Sequence, residues 1–228
     1  MNRLQLTQRL SREANVNQTG PTSTLNQVGE YLRLVNWIDA AYEEIQVAHA
    51  TWNFLRYEFS FALTIGVANY TATAAGLTSF SEWVADDEGE SEDFRIYTTA
   101  SDEQYMTYVP WDMFRVNYMV GTQRTQTGKP SIYTIKPDGS LLFFPIPDFA
   151  YTVLGEYYKA PQVMSADADV PIFDEKFHLT IMWKALMFYG AYASEADKYT
   201  FGNQQFKKLM RAMENRYLPQ TSWGNPLA

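Results

Sequence analysis

Hydrophobic positions between Gly29 and Ile65 change their period once along the chain. In the first part they recur every three or four residues, which predicts one face of a long helix. These positions are Tyr31, Leu34, Val35, Ile38, Ala41, Tyr42, Ile45, Ala48, Trp52 and Leu55. From Tyr57 to Ile65 apolar and polar residues alternate strictly, which predicts a half-buried strand. Because no Gly or Pro stands at the change, a helical module should lead directly into a β module.

Helical patterns also occupy the two ends of the chain. A short first helix is predicted over the leucine-rich start, before Pro21. Residues 174–194 are apolar on nearly every side, which is typical of a helix with neighbours all round. A last helix ends at Pro219 and carries one apolar stripe: Phe206, Leu209, Met210, Met213 and Tyr217.

The middle of the chain favours short extended segments. Pro137, Asp138 and Gly139 each supply a turn preference between two apolar runs, so residues 132–135 and 141–144 should form a hairpin. Pro110 at a first helical position predicts a short helix that ends at Gly121. Further strands are predicted at 94–97, 106–109 and 151–158.

These elements predict an α+β fold. Four helices from both chain ends, in residues 1–56 and 172–218, should form one bundle. Residues 57–171 should form a β-rich insertion that ends in a linker at 161–171 and contains an acidic loop at 82–103. Residues 219–228 are left as a C-terminal tail.

The composition restricts the possible chemistry. Aromatic residues make up 16% of the 228 positions, which suits packed cores and protein interfaces. The absence of Cys excludes disulfides, thiolate catalysis and Cys-ligated metals, and only His49 and His178 supply imidazoles. Assembly or binding is therefore favoured over catalysis.

The net charge of −8 is concentrated in the acidic loop, because nine acids and one base lie in 82–103 and the remainder is balanced. Alternate carboxylates in this run suit a calcium ion, but the loop signature of an EF-hand is missing. A solvated loop is the favoured interpretation. The acids singled out are Asp86, Asp87, Glu88, Glu90, Glu92 and Asp93.

Other candidate sites are weak. Gly121 to Lys129 has some likeness to a phosphate-binding loop, but the glycine spacing is too long and Pro130 replaces the magnesium-binding hydroxyl. Two carboxylate pairs, Glu43 with Glu44 and Asp167 with Asp169, lack any sign of a cleft. The outer face of the last helix suits either nucleic acid or plain solvent through Lys207, Lys208, Arg211 and Arg216.

Several short segments resemble the head-to-tail adaptor (connector) proteins of tailed bacteriophages. The second-helix pattern consists of Gly29-Glu30, Arg33-Leu34-Val35, Trp37-Ile38, Ala41, Ile45-Gln46, Trp52 and Arg56. Further matches are Gly121-Thr122-Gln123-Arg124, Gly128-Lys129-Pro130, Pro137-Asp138-Gly139, Pro145, Pro147, Gly155, Tyr157-Tyr158, Asp167-Ala168-Asp169 and Leu209-Met210. The resemblance covers nearly the whole chain.

The resemblance implies a non-enzymatic ring, a dodecamer, that lies under the portal and extends the DNA channel to the tail. The helical bundle would hold neighbouring subunits and the portal protein, and the β-rich part would face a tail or nozzle protein. Related adaptors reach the portal with terminal extensions, which assigns Trp223 and Leu227 as portal anchors. Genomic DNA would pass without sequence-specific contacts. The acidic loop departs from the family pattern, but its charge suggests that it would repel phosphates if it lines or rims the channel. We expect no cofactor, no metal, and a place in the virion after assembly in the host cytoplasm.

Two other functions are compatible with the same residues. Exposed Trp and Tyr would also suit a carbohydrate-binding or host-binding tail module, and a cell-wall hydrolase is the enzymatic alternative. A membrane protein is not expected, because the most apolar stretch, 179–193, is shorter than the roughly 20 residues that span a bilayer. Residues 1–14 lack the apolar core of a signal peptide.

Overall fold

The computed structural model describes residues 1–85 and 94–219. These residues contain both α-helices and several β-sheets, so the predicted α+β class is confirmed. The chain divides into two compact units. The helical unit comprises Met1–Phe54 and the chain from Pro161 onwards, and the β unit comprises Leu55–Ala160. The helices are α1 (Arg3–Glu13), α2 (Gly29–Val47), α3 (Trp111–Tyr118), α4 (His178–Tyr192) and α5 (Ala196–Tyr217).

Helix α4 is the centre of the helical unit, since it packs against α1, α2 and α5. Its buried residues lie on every side of the helix, as the apolar pattern predicts. They are His178, Thr180, Ile181, Met182, Trp183, Ala185, Leu186, Tyr189 and Gly190. No helix among the described residues has both the length and the apolar character needed to cross a bilayer.

Helix α2 ends earlier than its hydrophobic period predicts. It stops at Val47, and Trp52 and Leu55 lie beyond it. The indole N–H of Trp52 donates to the carbonyl of Ile45 at 3.0 Å, which satisfies one of the acceptors that a helix end leaves open. The Trp52 ring also stacks on Phe54, with centroids 5.2 Å apart. Tertiary packing therefore keeps Trp52 buried without helical backbone.

Two glycines allow α4 and α5 to approach closely. A Cβ at Gly190 would lie 2.6 Å from the backbone nitrogen of Tyr199. A Cβ at Gly202 would lie 3.0 Å from the carbonyl oxygen of Trp183. Backbone atoms cannot move aside as a flexible side chain can. The close packing of α4 and α5 therefore requires glycine, which has no Cβ, at positions 190 and 202.

The segment 161–171 is not the free linker that the sequence suggests, because it is bound to the helices. The guanidinium of Arg3 donates to Asp39 at 3.0 and 2.6 Å and to the carbonyl of Ser165 at 2.8 Å. Asp167 accepts a hydrogen bond from the backbone N–H of Thr24 at 2.6 Å. Arg3 is buried, and these partners satisfy its charge.

The β unit contains three sheets within the described residues. Its strands are β1 (Arg56–Ala62), β2 (Asn69–Tyr70), β3 (Phe80–Trp83), β4 (Arg95–Tyr97), β5 (Gln104–Tyr105), β6 (Thr107–Tyr108), β7 (Thr127–Gly128), β8 (Ile132–Ile135), β9 (Leu141–Phe144), β10 (Ile146–Pro147) and β11 (Thr152–Lys159). An antiparallel sheet has the order β1-β11-β4-β5, and β3 also pairs with β11. A second sheet has the order β2-β9-β8-β6, and β10 pairs with β7.

The predicted hairpin is confirmed. Strands β8 and β9 pair with Ile135 opposite Leu141. The turn is closed by the N–H of Lys136, which donates to the Ser140 carbonyl at 2.9 Å, and Gly139 adopts a φ of +77°. Asp138 accepts from the N–H of Ser140 at 3.0 Å, so the side chain and the backbone favour the same turn.

Buried residues within the predicted acidic loop, 82–103, belong to the core of the β unit. Trp83 in β3 is 4% exposed and Phe94 is fully buried. The Phe94 ring stacks on Tyr133 at 4.3 Å, and Phe59 contacts both Trp83 and Phe94 edge to face. The predicted strand end at Ile65 is wrong, since β1 ends at Ala62 and Ile65 is 61% exposed.

Candidate assembly surfaces

The pair Asp167 and Asp169 has a structural role. Asp169 accepts the backbone N–H groups of Ser165 and Ala166 at 2.6 and 2.8 Å. The hydrogen bond from Thr24 lowers the pKa of Asp167, and the Ala166 N–H lowers the pKa of Asp169. Both carboxylates are therefore held in the ionised form, which cannot act as a general acid near neutral pH.

Three of the remaining titratable candidates, Glu44, His49 and His178, form structural contacts. Glu44 forms an ion pair with Lys184 at 2.8 Å, and its neighbour Glu43 is exposed. The Nε2 of His49 lies 3.1 Å from Glu214. His178 is 2% exposed, its Nε2 contacts the carbonyl of Phe173 at 2.9 Å, and burial lowers the pKa of its imidazole.

No metal cluster is formed by the part of the chain that the structure describes, because no three or more His, Asp or Glu side chains converge there. Gly121–Thr125 is a short 3-10 turn that follows α3 and leads into β7. A phosphate-binding loop would instead follow a strand and open a helix. The portal anchors Trp223 and Leu227 lie outside the described residues, as do the acids Asp86, Asp87, Glu88, Glu90, Glu92 and Asp93.

An aromatic cluster lies at the surface where α2 and α4 meet. It consists of Arg33, Trp37, Tyr189 and Tyr192. The Trp37 ring centroid is 5.9 Å from Tyr189 and 5.5 Å from Tyr192, and the Arg33 guanidinium lies 4.5 Å from the Tyr192 ring centre. Tyr192 is nevertheless 56% exposed. Trp, Tyr and Arg are the residue types most enriched at the energetic centres of protein interfaces, so this cluster is suited to bind another protein.

A second candidate surface is the α3 stripe, which consists of Met113, Val116 and Val120. Met113 and Val116 are three residues apart on one side of α3, and Val120 follows in extended backbone just after the helix; the three are 59, 65 and 55% exposed. Phe114 anchors the opposite side of the helix and is 2% exposed. Exposed apolar side chains that lie close together are suited to bind a partner.

The family model for the SU10 adaptor protein matches residues 1–228. The chain belongs to the SU10 adaptor protein family. This confirms the resemblance to phage head-to-tail adaptors, and the protein is an adaptor of the virion neck that joins portal and tail proteins. A search of curated proteins found no match.

An adaptor presents surfaces to protein partners, and the aromatic cluster and the α3 stripe are two candidates for such surfaces among the described residues. The sequence contains a signal for the α3 stripe, because Met113, Val116 and Val120 recur at helical spacing. The aromatic cluster has no comparable signal. Tyr189 and Tyr192 belong to a helix that is apolar on nearly every side. The hydrophobic pattern therefore does not distinguish the exposed end of this helix from its buried part.

Proposed function

We propose that this adaptor assembles into a dodecameric ring under the portal and extends the DNA channel to the tail. The four helices of the helical unit act as one bundle that holds neighbouring subunits and the portal. The β-rich insertion faces the tail or nozzle protein. Assembly takes place in the host cytoplasm, and genomic DNA passes through the ring without sequence-specific contacts. Membership of a head-to-tail adaptor family supports this proposal.

The aromatic cluster is the observation that carries the ring proposal. Tyr192 and Arg33 are exposed, whereas Tyr189 is buried beneath them, and the Trp37 ring and the Arg33 guanidinium both contact the Tyr192 ring. A large side chain that is already ordered loses little conformational entropy when a partner covers it. Tyr192 is therefore suited to be a binding centre between subunits.

Replacement of Tyr192 by alanine should weaken ring assembly at least about 30-fold, because a binding centre contributes about 2 kcal/mol or more. The melting temperature of the monomer should stay nearly unchanged, since Tyr192 is 56% exposed. Assembly can be measured by analytical ultracentrifugation and by negative-stain microscopy of the adaptor mixed with portals. Tyr105→Ala is the matched control, because Tyr105 is 53% exposed in the β unit. Normal assembly by Tyr192→Ala, or an equal loss in the control, would contradict the proposed role.

The tail after Pro219 is proposed to dock onto the portal through Trp223 and Leu227. Both residues lie outside the described part of the chain, so the support comes from the sequence. Gln220, Thr221 and Ser222 cannot build a core, but two apolar side chains spaced along a polar segment can anchor it to a partner.

Deletion of residues 221–228 should abolish portal binding and leave the melting temperature of the isolated adaptor unchanged. Surface plasmon resonance on immobilised portal, together with thermal melts, measures both quantities. A matched control with Trp223 and Leu227 retained and Thr221 and Ser222 changed to alanine should bind normally. A truncated adaptor that binds portals with full affinity would exclude this mechanism.

The acidic residues at 86–93 are proposed to line or rim the DNA channel. Their support is the charge distribution of the sequence, since the whole net charge of −8 lies in 82–103. Carboxylates repel phosphates at short range and so keep DNA from adhering to the channel.

A further inference from the structure

The outward face of α5 carries a row of positive charges, which we call the basic face. It consists of Lys207, Lys208 and Arg211, all exposed. Positions three and four residues apart lie on the same side of a helix, so these three side chains share one face. Met210 and Met213 lie on the opposite side and are buried in the helical unit. The buried methionines thus fix the rotation of α5 about its axis, and the three basic side chains face the solvent.

Among the described residues, the members of the basic face form no ion pair, in contrast to other lysines of the helical unit. Lys184 pairs with Glu44 and Lys198 pairs with Glu195, each at 2.8 Å. Across residues 1–85 and 94–219, by contrast, no carboxylate lies within ion-pair distance of any member of the basic face. Three neighbouring cations without such a pair create a local positive potential on a protein of net charge −8.

The surroundings of the basic face favour nucleic acid over protein as its partner. The other exposed positions between Gln204 and Arg216 are Ala212 and Asn215, so no large apolar side chain is exposed there. Protein interfaces are enriched in aromatic residues and depleted in Lys at their centres. Contacts to the DNA backbone come from Lys, Arg, Asn and Gln, which is the composition found on this side of α5.

We propose that the basic face of α5 contacts the phosphate backbone of duplex DNA without reading its sequence. This inference rests on the proposed function, since it places the basic face on the surface that DNA passes. Lys207 and Arg211 are about 6 Å apart along the helix axis, a length over which the two strands of duplex DNA together carry about three to four phosphate charges.

The test is a salt titration of the full-length adaptor with a fluorescent duplex of mixed sequence, followed by fluorescence anisotropy. Three phosphate contacts predict that the logarithm of the binding constant falls with the logarithm of salt concentration with a slope of about −3. The variant K207Q/K208Q/R211Q should bind at least about tenfold more weakly at low salt and should lose nearly all of that slope. Gln keeps a high helix propensity, so the fold should be retained.

The control variant R12Q/R115Q/K176Q removes an equal number of positive charges, three, from exposed positions elsewhere on the protein. It should bind DNA like the unmodified adaptor. Three results would overturn the inference: no DNA binding at low salt, an equal loss in the control, or normal DNA binding by K207Q/K208Q/R211Q. If that variant instead loses portal binding and keeps DNA binding, the basic face binds an acidic protein.

Ring assembly on the portal is measured separately for each of these variants. The proposed function fails if the unmodified adaptor forms no ring, whatever its affinity for DNA. The basic-face inference fails on the DNA titration alone. The two failures are therefore distinguishable.

Discussion

Replacement of Trp183 by alanine should lower the free energy of unfolding by about 3 to 5 kcal/mol, the usual range for a buried Trp. Trp183 lies on the central helix α4 and is 9% exposed. Its ring packs edge to face on Phe201, with centroids 5.3 Å apart. The cost has two parts, the apolar burial that is lost and the cavity that remains. The cavity persists because helices packed around α4 relax only partially into it. Urea denaturation followed by circular dichroism measures the difference.

Val163→Ala is the control for this experiment. Val163 is 81% exposed, so its replacement should change the free energy of unfolding by no more than about 0.5 kcal/mol. A loss of less than about 1 kcal/mol in Trp183→Ala would show that the residue does not belong to the core.

Replacement of Gly190 by alanine should destabilise the helical unit by about 3 kcal/mol, near the upper end of the cost of overpacking. Helix propensity alone predicts the opposite sign, a gain of about 1 kcal/mol. The added Cβ would lie 2.6 Å from the backbone nitrogen of Tyr199, so α4 and α5 would have to separate. Thermal melts decide between the two signs.

The neighbouring substitution Ala191→Gly separates packing from propensity. Ala191 is exposed on the same helix, so this change should cost no more than about 1 kcal/mol. A more stable Gly190→Ala protein would mean that α4 and α5 do not approach as closely as described.

Elements with local chemical signals could be predicted from the sequence. The hairpin is such a case, because Asp138 and Gly139 favour its turn through their own hydrogen bonds and backbone angles. Helix α4 is another, since an apolar pattern on every side requires neighbours on every side. The hairpin turn is stabilised by interactions within its own segment. The burial of α4 follows from the apolar character of its own sequence.

Contacts between distant parts of the chain could not be predicted. The segment 161–171 contains Pro and Asp residues and therefore has the composition of a linker. Its partners Arg3 and Thr24 are 162 and 143 positions away from Ser165 and Asp167. The same limit applies to the candidate site, since the exposure of Tyr192 depends on how α2 and α4 meet. The acidic residues and the tail anchors fall outside the described residues, and their roles stay predictions.

The discontinuity of the helical unit has a consequence for the order in which the protein can fold during synthesis. The β unit is one continuous stretch, Leu55–Ala160, and can be completed as it leaves the ribosome. The hydrogen bond between Arg3 and Ser165, by contrast, cannot form until Ser165 is synthesised, 162 residues later. At about 5 to 20 residues per second, α1 and α2 keep their apolar faces uncovered for roughly ten seconds or longer. Nascent chains in this interval expose apolar surface, so we expect them to be prone to aggregation and to benefit from a host chaperone.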